Sequence, residues 1–170
     1  FVYDAPELEH FRIEPYAAAF SDFIRKIKPE TVLVGGTPAG RSLAPRVAAR
    51  FKTGLTADCT SLEIQADGAL AQIRPAFGGN IMAHIVTPHR RPQFSTVRYK
   101  IFSAPSPAEK TSGKIVDMNL EKAHLHSSID VLSVMPKKNE KGIEEAKVIV
   151  AAGRGIKKQE DLEMLRELAS

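Results

Sequence analysis

The chain has 170 residues, 43% of them hydrophobic and 26% charged, with a formal charge of +4. That is enough for one domain with its own core, or for one domain and part of another. The surplus of Lys and Arg over Asp and Glu is at most two in each of the stretches 1–60, 61–136 and 137–170. A basic stripe with interleaved aromatics, the footprint of a nucleic-acid binder, is missing. Cys59 is the single cysteine, which excludes a disulfide framework and a thiolate metal cluster and fits a reducing, cytoplasmic setting. No apolar run approaches the roughly 20 residues of a membrane helix, so no membrane insertion is expected. The chain starts at Phe1 without the order of a signal peptide, and residues are expected to precede it.

In chain order, Pro15 is placed to open a helix, because its missing N–H costs nothing there. Tyr16, Phe20, Phe23, Ile24 and Ile27 recur at the spacing of one helical face, and Pro29 stops the run. Thr31–Val34 reads as a short buried strand. A glycine loop, Gly35–Gly40, follows and leads into a second amphipathic helix with Leu43, Ala44, Val47, Ala48 and Phe51 on one side. Helix, strand, glycine loop and helix are the rhythm of a parallel α/β sheet, in which ligands sit beyond the C-terminal strand ends.

After Gly54 the pattern changes. Leu62–Gln65 and Ala69–Ile73 read as strands joined at Asp67-Gly68, a strong hairpin signal. Ile81–Val86 and Phe94–Phe102 are two more, separated by the polar turn Thr87–Pro92. Ile115–Leu120 and Ile129–Val134 also read as strands. Pro136–Gly142 has linker composition. Beyond it lie a strand over Lys147–Ala152, the turn Gly153-Arg154-Gly155, and a helix from about Gln159 to Ala169. The whole predicts an α/β fold, mostly parallel with added β-hairpins, over 1–135. Residues 136–170 read as an incomplete second α/β domain, since one strand and one helix cannot enclose a core.

The stretch Ile73–Asn80, Ile-Arg-Pro-Ala-Phe-Gly-Gly-Asn, opens a window from Gly68 to Pro107 that contains no Asp or Glu. Arg74, Arg90, Arg91, Arg98 and Lys100 all fall in it. Such a segment could face an anion, or its carboxylates could lie elsewhere in the fold. The Gly35–Gly40 loop invites a phosphate reading, yet it matches neither G-x-G-x-x-G nor the Walker pattern. Hydrolytic catalysis has no G-x-S-x-G to support it. His124 and His126 alternate without a third ligand, a weak metal signal. Asp58 beside Cys59 disfavours a thiolate, so an inert, packed cysteine is expected. Arg154, after an apolar run and before a helix, could hold a diphosphate with its guanidinium fork.

Four blocks carry a resemblance to a known family. They are Gly40-Arg41-Ser42-Leu43-Ala44-Pro45-Arg46-Val47-Ala48; Thr53–Thr60 with Leu62-Glu63-Ile64; Arg74–Ala83; and Ala146–Gly155. In this order and spacing the chain resembles the electron transfer flavoprotein α subunit. Ala152 stands where the family usually has a further glycine. The resemblance implies a first domain similar to adenine-nucleotide α-hydrolases, packed against a β subunit and carrying no nucleotide of its own. It implies a second domain that holds FAD, most of it after Ser170, and a role carrying electrons between flavin-dependent dehydrogenases and an acceptor. Gly153, Arg154 and Gly155 fall on the family's FAD segment. The Arg74–Asn80 block resembles the electron-bifurcating type, in which the β subunit carries a second FAD; Arg74 is then expected to face that flavin. Two other readings remain: a stand-alone nucleotide-binding domain using Gly35–Gly40, and a purely structural assembly domain.

Overall fold

A computed structural model of the chain describes residues 1–107, 112–136 and 142–169. They divide into two units, Phe1–Val131 and Leu132–Ser170.

In the first unit, α1 (Ile13–Ile27) begins two residues before Pro15, after an extended Arg12. Its last turn carries Arg25 and Lys26, which suit the negative end of the helix dipole. Lys28 takes a left-handed conformation, with φ 52°, and donates its N–H to the carbonyl of Ile24 before Pro29 ends the run. β1 (Thr31–Gly35) leads through Gly36 and Thr37 into α2 (Pro38–Arg50). The Thr37 hydroxyl caps α2 by accepting from the Gly40 N–H at 3.1 Å, and Pro38 occupies a first-turn position that needs no donor. Pro45 lies inside α2 and removes one helical hydrogen bond, yet the helix continues.

β2 (Leu55–Cys59), β3 (Ser61–Ile64), β4 (Leu70–Ala76), β5 (Ile81–Ile85) and β6 (Gln93–Val97) complete the strands. They form two sheets. The parallel sheet has the order β1-β6-β2, and the antiparallel sheet the order β3-β4-β5. The antiparallel module is therefore inserted in sequence between β2 and the central strand β6. Gln93 ties the two sheets together, because its side-chain carbonyl accepts the Leu70 N–H at 3.0 Å. Phe94, fully buried, pairs with Val32 on one side and Leu55 on the other. It packs with Ala17, Ile24, Leu43, Val47 and Ala48 in the core between the sheet and the two helices.

The expected mostly parallel α/β fold with added hairpins is present, and the hairpin over Asp67-Gly68 lies where the sequence puts it. Five expectations need correction, the last of them in the second unit. Leu55–Cys59, not anticipated as a strand, is the third member of the parallel sheet. The strand expected over Phe94–Phe102 ends at Val97, and Lys100 turns left-handed at φ 58°. Ile115–Leu120 makes only a single bridge, Asp117 to Val2. Ile129–Val134 forms no strand either. Their β-branched residues have the propensity but lack an adjacent strand to complete a ladder, and Ile115 is 81% exposed.

In the second unit, α3 (Glu160–Ala169) agrees with the expected helix. Lys147–Ala152 is not a strand; no described segment pairs with it, and Val148 is exposed. Residues 137–141 of the expected linker lie outside the described residues.

Because Phe94 fills the centre of the first unit's core, Phe94→Ala is expected to destabilise the protein by about 3–5 kcal/mol. Ile115→Ala, at an exposed site, is expected to change stability by no more than about 0.5 kcal/mol. Guanidinium denaturation followed by circular dichroism checks both.

Candidate functional site

The three parallel strands end together. Gly35 closes β1, Val97 closes β6 and Cys59 closes β2, so Gly36, Arg98 and Asp58 are brought to one edge of the sheet. Asp58 arrives there through an irregularity. Thr56 pairs with Ser95 and Cys59 with Val97, so β2 has one residue more than β6 over this interval. Such a bulge re-aims a side chain. Asp58 itself has φ 64°, a left-handed conformation uncommon for a residue with a side chain. Its N–H donates to the Thr96 hydroxyl at 2.8 Å, which helps hold that backbone in place.

The Asp58 carboxylate faces arginines. Arg98 donates Nε at 3.1 Å and Nη2 at 2.9 Å to Oδ2. Arg41, from the first turn of α2, places Nη2 3.3 Å from Oδ1, and its Nε donates to the Gly36 carbonyl at 2.9 Å. The Arg98 hydrogen bond, with the charges of Arg98, Arg41 and Arg74, holds the Asp58 carboxyl below its usual range against the opposing effect of burial. Two arginines thus contact one carboxylate. Beside it, Cys59 is fully buried, and burial pushes its thiol up, as expected of an inert cysteine.

The Gly35–Gly40 loop is shaped by packing. A Cβ on Gly40 would lie 2.0 Å from the Gly35 carbonyl oxygen, and one on Gly36 would lie 2.8 Å from that of Val97. The Gly36 N–H donates to the Val97 carbonyl, the Gly40 N–H to Thr37, and Pro38 has no N–H. The two glycine N–H groups are thus committed within the fold.

Arg74 lies on β4 opposite Ala83, half-buried. Its Nε makes one long hydrogen bond, 3.4 Å, to the Pro75 carbonyl. The acid-free window resolves unevenly: Arg91 pairs with Glu30 at 2.6 Å and Arg98 with Asp58, both carboxylates lying outside the window. Among the described residues, Arg74 has no carboxylate within ion-pair distance. Beyond it, Phe77, Gly78 and Gly79 all have positive φ, at 47°, 72° and 95°, and turn β4 back into β5. Phe77 is 82% exposed at that tip, and Ile81 and Met82 behind it are exposed too.

Gly153, Arg154 and Gly155 belong to the second unit. The three are exposed in a turn in which the Ile156 N–H donates to the Gly153 carbonyl at 3.1 Å. Nothing crowds either glycine within 4 Å. Among the described residues the Arg154 side chain has no hydrogen bond or ion pair. α3 opens with Glu160, Asp161 and Glu163, so its own N-terminus repels an anion.

Sequence reasoning missed the cluster. Asp58 entered it as a neighbour of Cys59 and within a family block, Arg41 only within a family block and Arg98 only as one cation among five. Recognising Leu55–Cys59 as a third parallel strand would have set Asp58 and Arg98 side by side. Among the described residues no group of three or more His, Cys, Asp or Glu could hold a metal ion, and no helix is long and apolar enough to cross a membrane.

Residues 1–123 match the model of the electron transfer flavoprotein domain. The chain belongs to the electron transfer flavoprotein family. It is 60% identical over 171 residues to the lactate dehydrogenase (NAD(+),ferredoxin) subunit LctC of Acetobacterium woodii, covering 99% of this chain and 40% of that protein. It is 42% identical to the electron transfer flavoprotein subunit alpha of Thermoanaerobacterium thermosaccharolyticum, over 99% of this chain and 52% of that one. Protein FixB of Clostridium saccharobutylicum is also 42% identical, over 99% of this chain and 51% of that protein. The chain therefore spans about half the length of the curated relatives it matches.

The depressed carboxyl of Asp58 has a stability consequence for the flavoprotein domain. Its contribution is fully present above the ordinary aspartate value of about 3.9 and is lost as pH falls from there through the lower folded value. Wild type is expected to exceed Asp58→Asn by about 1 kcal/mol at pH 7, a size limited by solvent screening. The difference closes in acid. Urea denaturation of both proteins between pH 7 and pH 2.5 or so tests the sign.

Proposed function

We propose that this chain is the N-terminal part of an electron transfer flavoprotein α subunit. With a β subunit and FAD it carries electrons between a flavin-dependent dehydrogenase and an acceptor. The family match over residues 1–123 is the observation that carries this reading. The chain acts as a carrier, without acid–base catalytic residues of its own, and a cytoplasmic location belongs to the same reading. Residues 1–135 form the subunit's first domain, and 136–170 begin the domain that holds FAD. The Acetobacterium relative's name carries both NAD(+) and ferredoxin. That supports extending the reading to electron bifurcation, in which electrons from one donor are divided between two acceptors.

FAD supplies the redox chemistry when bound; the chain's residues bind and orient it. Arg154 fits the part of a diphosphate ligand, since its guanidinium is exposed and uncommitted and the flanking glycines leave room for close approach. The acidic start of α3 means that the side chain, rather than that helix's amides, attracts the diphosphate. Arg74 has a different task. As a half-buried cation with no carboxylate partner among the described residues, it suits an anionic flavin ring presented by the β subunit. A hydrogen bond from its guanidinium would stabilise the negative charge of the reduced ring.

Each arginine has its own readout in the complete heterodimer. Arg154→Ala is expected to weaken FAD binding about tenfold or more, the loss of one charge-assisted contact; equilibrium dialysis measures it. Arg74→Ala is expected to leave that affinity unchanged and lower the two-electron potential of the β-subunit flavin by about 30–60 mV. Unchanged flavin potentials in a spectroelectrochemical titration would remove Arg74 from the reading.

A further inference from the structure

The geometry points to a latent oxyanion site at the ends of the parallel strands, whose resident occupant is the chain's own Asp58 carboxylate. Open α/β sheets bind ligands beyond the C-terminal ends of their strands, and a strand-to-helix loop there ordinarily turns its amides on a phosphate. Here the position is assembled and internally filled. Arg98 from the end of β6 and Arg41 from the start of α2 both reach the carboxylate, at 2.9 Å and 3.3 Å. Gly36 and Gly40 give their N–H groups to Val97 and Thr37.

Three features show that Asp58 is held there and does not merely drift onto the arginines. β2 carries an extra residue between Thr56 and Cys59. The Asp58 backbone is left-handed, an unfavourable conformation that persists only where its surroundings enforce it. The Thr96 hydroxyl accepts the Asp58 N–H, and the Arg98 N–H donates to the Cys59 carbonyl. The carboxylate is 26% exposed, so the cluster opens to solvent on one side. Removing the side chain while keeping the backbone leaves Arg41 and Arg98 facing a space the size of a carboxylate group. A tetrahedral oxyanion such as phosphate suits those two forks. This inference does not rest on the flavin reading of Arg74 or Arg154.

The test uses the complete natural protein with its partner subunit, saturated with FAD so that flavin sites do not take up the probe. Asn and Gly both tolerate the left-handed backbone at position 58, so Asp58→Asn and Asp58→Gly are the two variants. Calorimetric titration with inorganic phosphate is expected to show binding to Asp58→Gly at least about tenfold tighter than to wild type, with a smaller gain for Asp58→Asn, whose amide still fills the space. The gain disappears when Arg98→Gln is added. The inference is overturned if wild type binds phosphate as tightly as the variants, if neither variant gains affinity, or if the gain survives Arg98→Gln. Should both variants fail to fold in phosphate-free buffer, recovery of the fold on adding phosphate supports the inference, and failure to recover counts against it.

Discussion

The pairing of β6 between β1 and β2 is the constraint on which the rest of the first unit depends. β6 follows β1 by some sixty residues of helix, strand and inserted antiparallel sheet, yet it is the central strand. Its alternation serves two purposes. Phe94 goes to the helix-facing core, while Gln93, neighbouring it in sequence, reaches β4 through the Leu70 N–H. The same strand then leads directly into Arg98, and the register that seats Phe94 beside Val32 and Leu55 also delivers Arg98 to Asp58. A slip of one residue would turn Phe94 out of the helix-facing core and separate the ion pair at once.

How much of this was legible in the sequence follows from how local each signal is. α1 announces itself by an apolar stripe that ends at Pro29, and α2 by the spacing of Leu43, Ala44, Val47, Ala48 and Phe51, although α2 begins at Pro38, inside the expected glycine loop; both are short-range signals. The hairpin between β3 and β4 was readable for the same reason, since its turn lies in the intervening residues. β2 was not. Leu-Thr-Ala-Asp-Cys alternates poorly, and its status depends on β6, from which it takes its hydrogen bonds nearly forty residues later. Conversely, Ile115–Leu120 and Lys147–Ala152 carry β-branched residues without a strand beside them, so propensity alone misleads.

The glycine loop shows the limit of reading a motif without its packing. Gly35, Gly36 and Gly40 stand where phosphate-binding loops stand in related architectures, which is why a nucleotide reading was reasonable. Their positions instead allow two backbones to touch: α2 approaches the Gly35 carbonyl through Gly40, and the loop approaches Val97 through Gly36. Glycine permits close approach to any neighbour, ligand or main chain. Only the hydrogen-bond partners distinguish the two uses, and here they are internal.

Arg74 and Arg98 make the same point for charge. Both lie in the window without acids, both sit at or near the end of a strand, and composition treats them alike. The bulge in β2 separates them: it turns Asp58 toward Arg98 and Arg41, and their hydrogen bonds use both carboxylate oxygens. Arg74 contributes to the field at Asp58 but makes no ion pair with it. Its positive charge is therefore left on the sheet that also carries the exposed Phe77, Ile81 and Met82. One extra residue in β2 thus decides which of the two arginines is tied to a carboxylate and which keeps its charge on the antiparallel sheet.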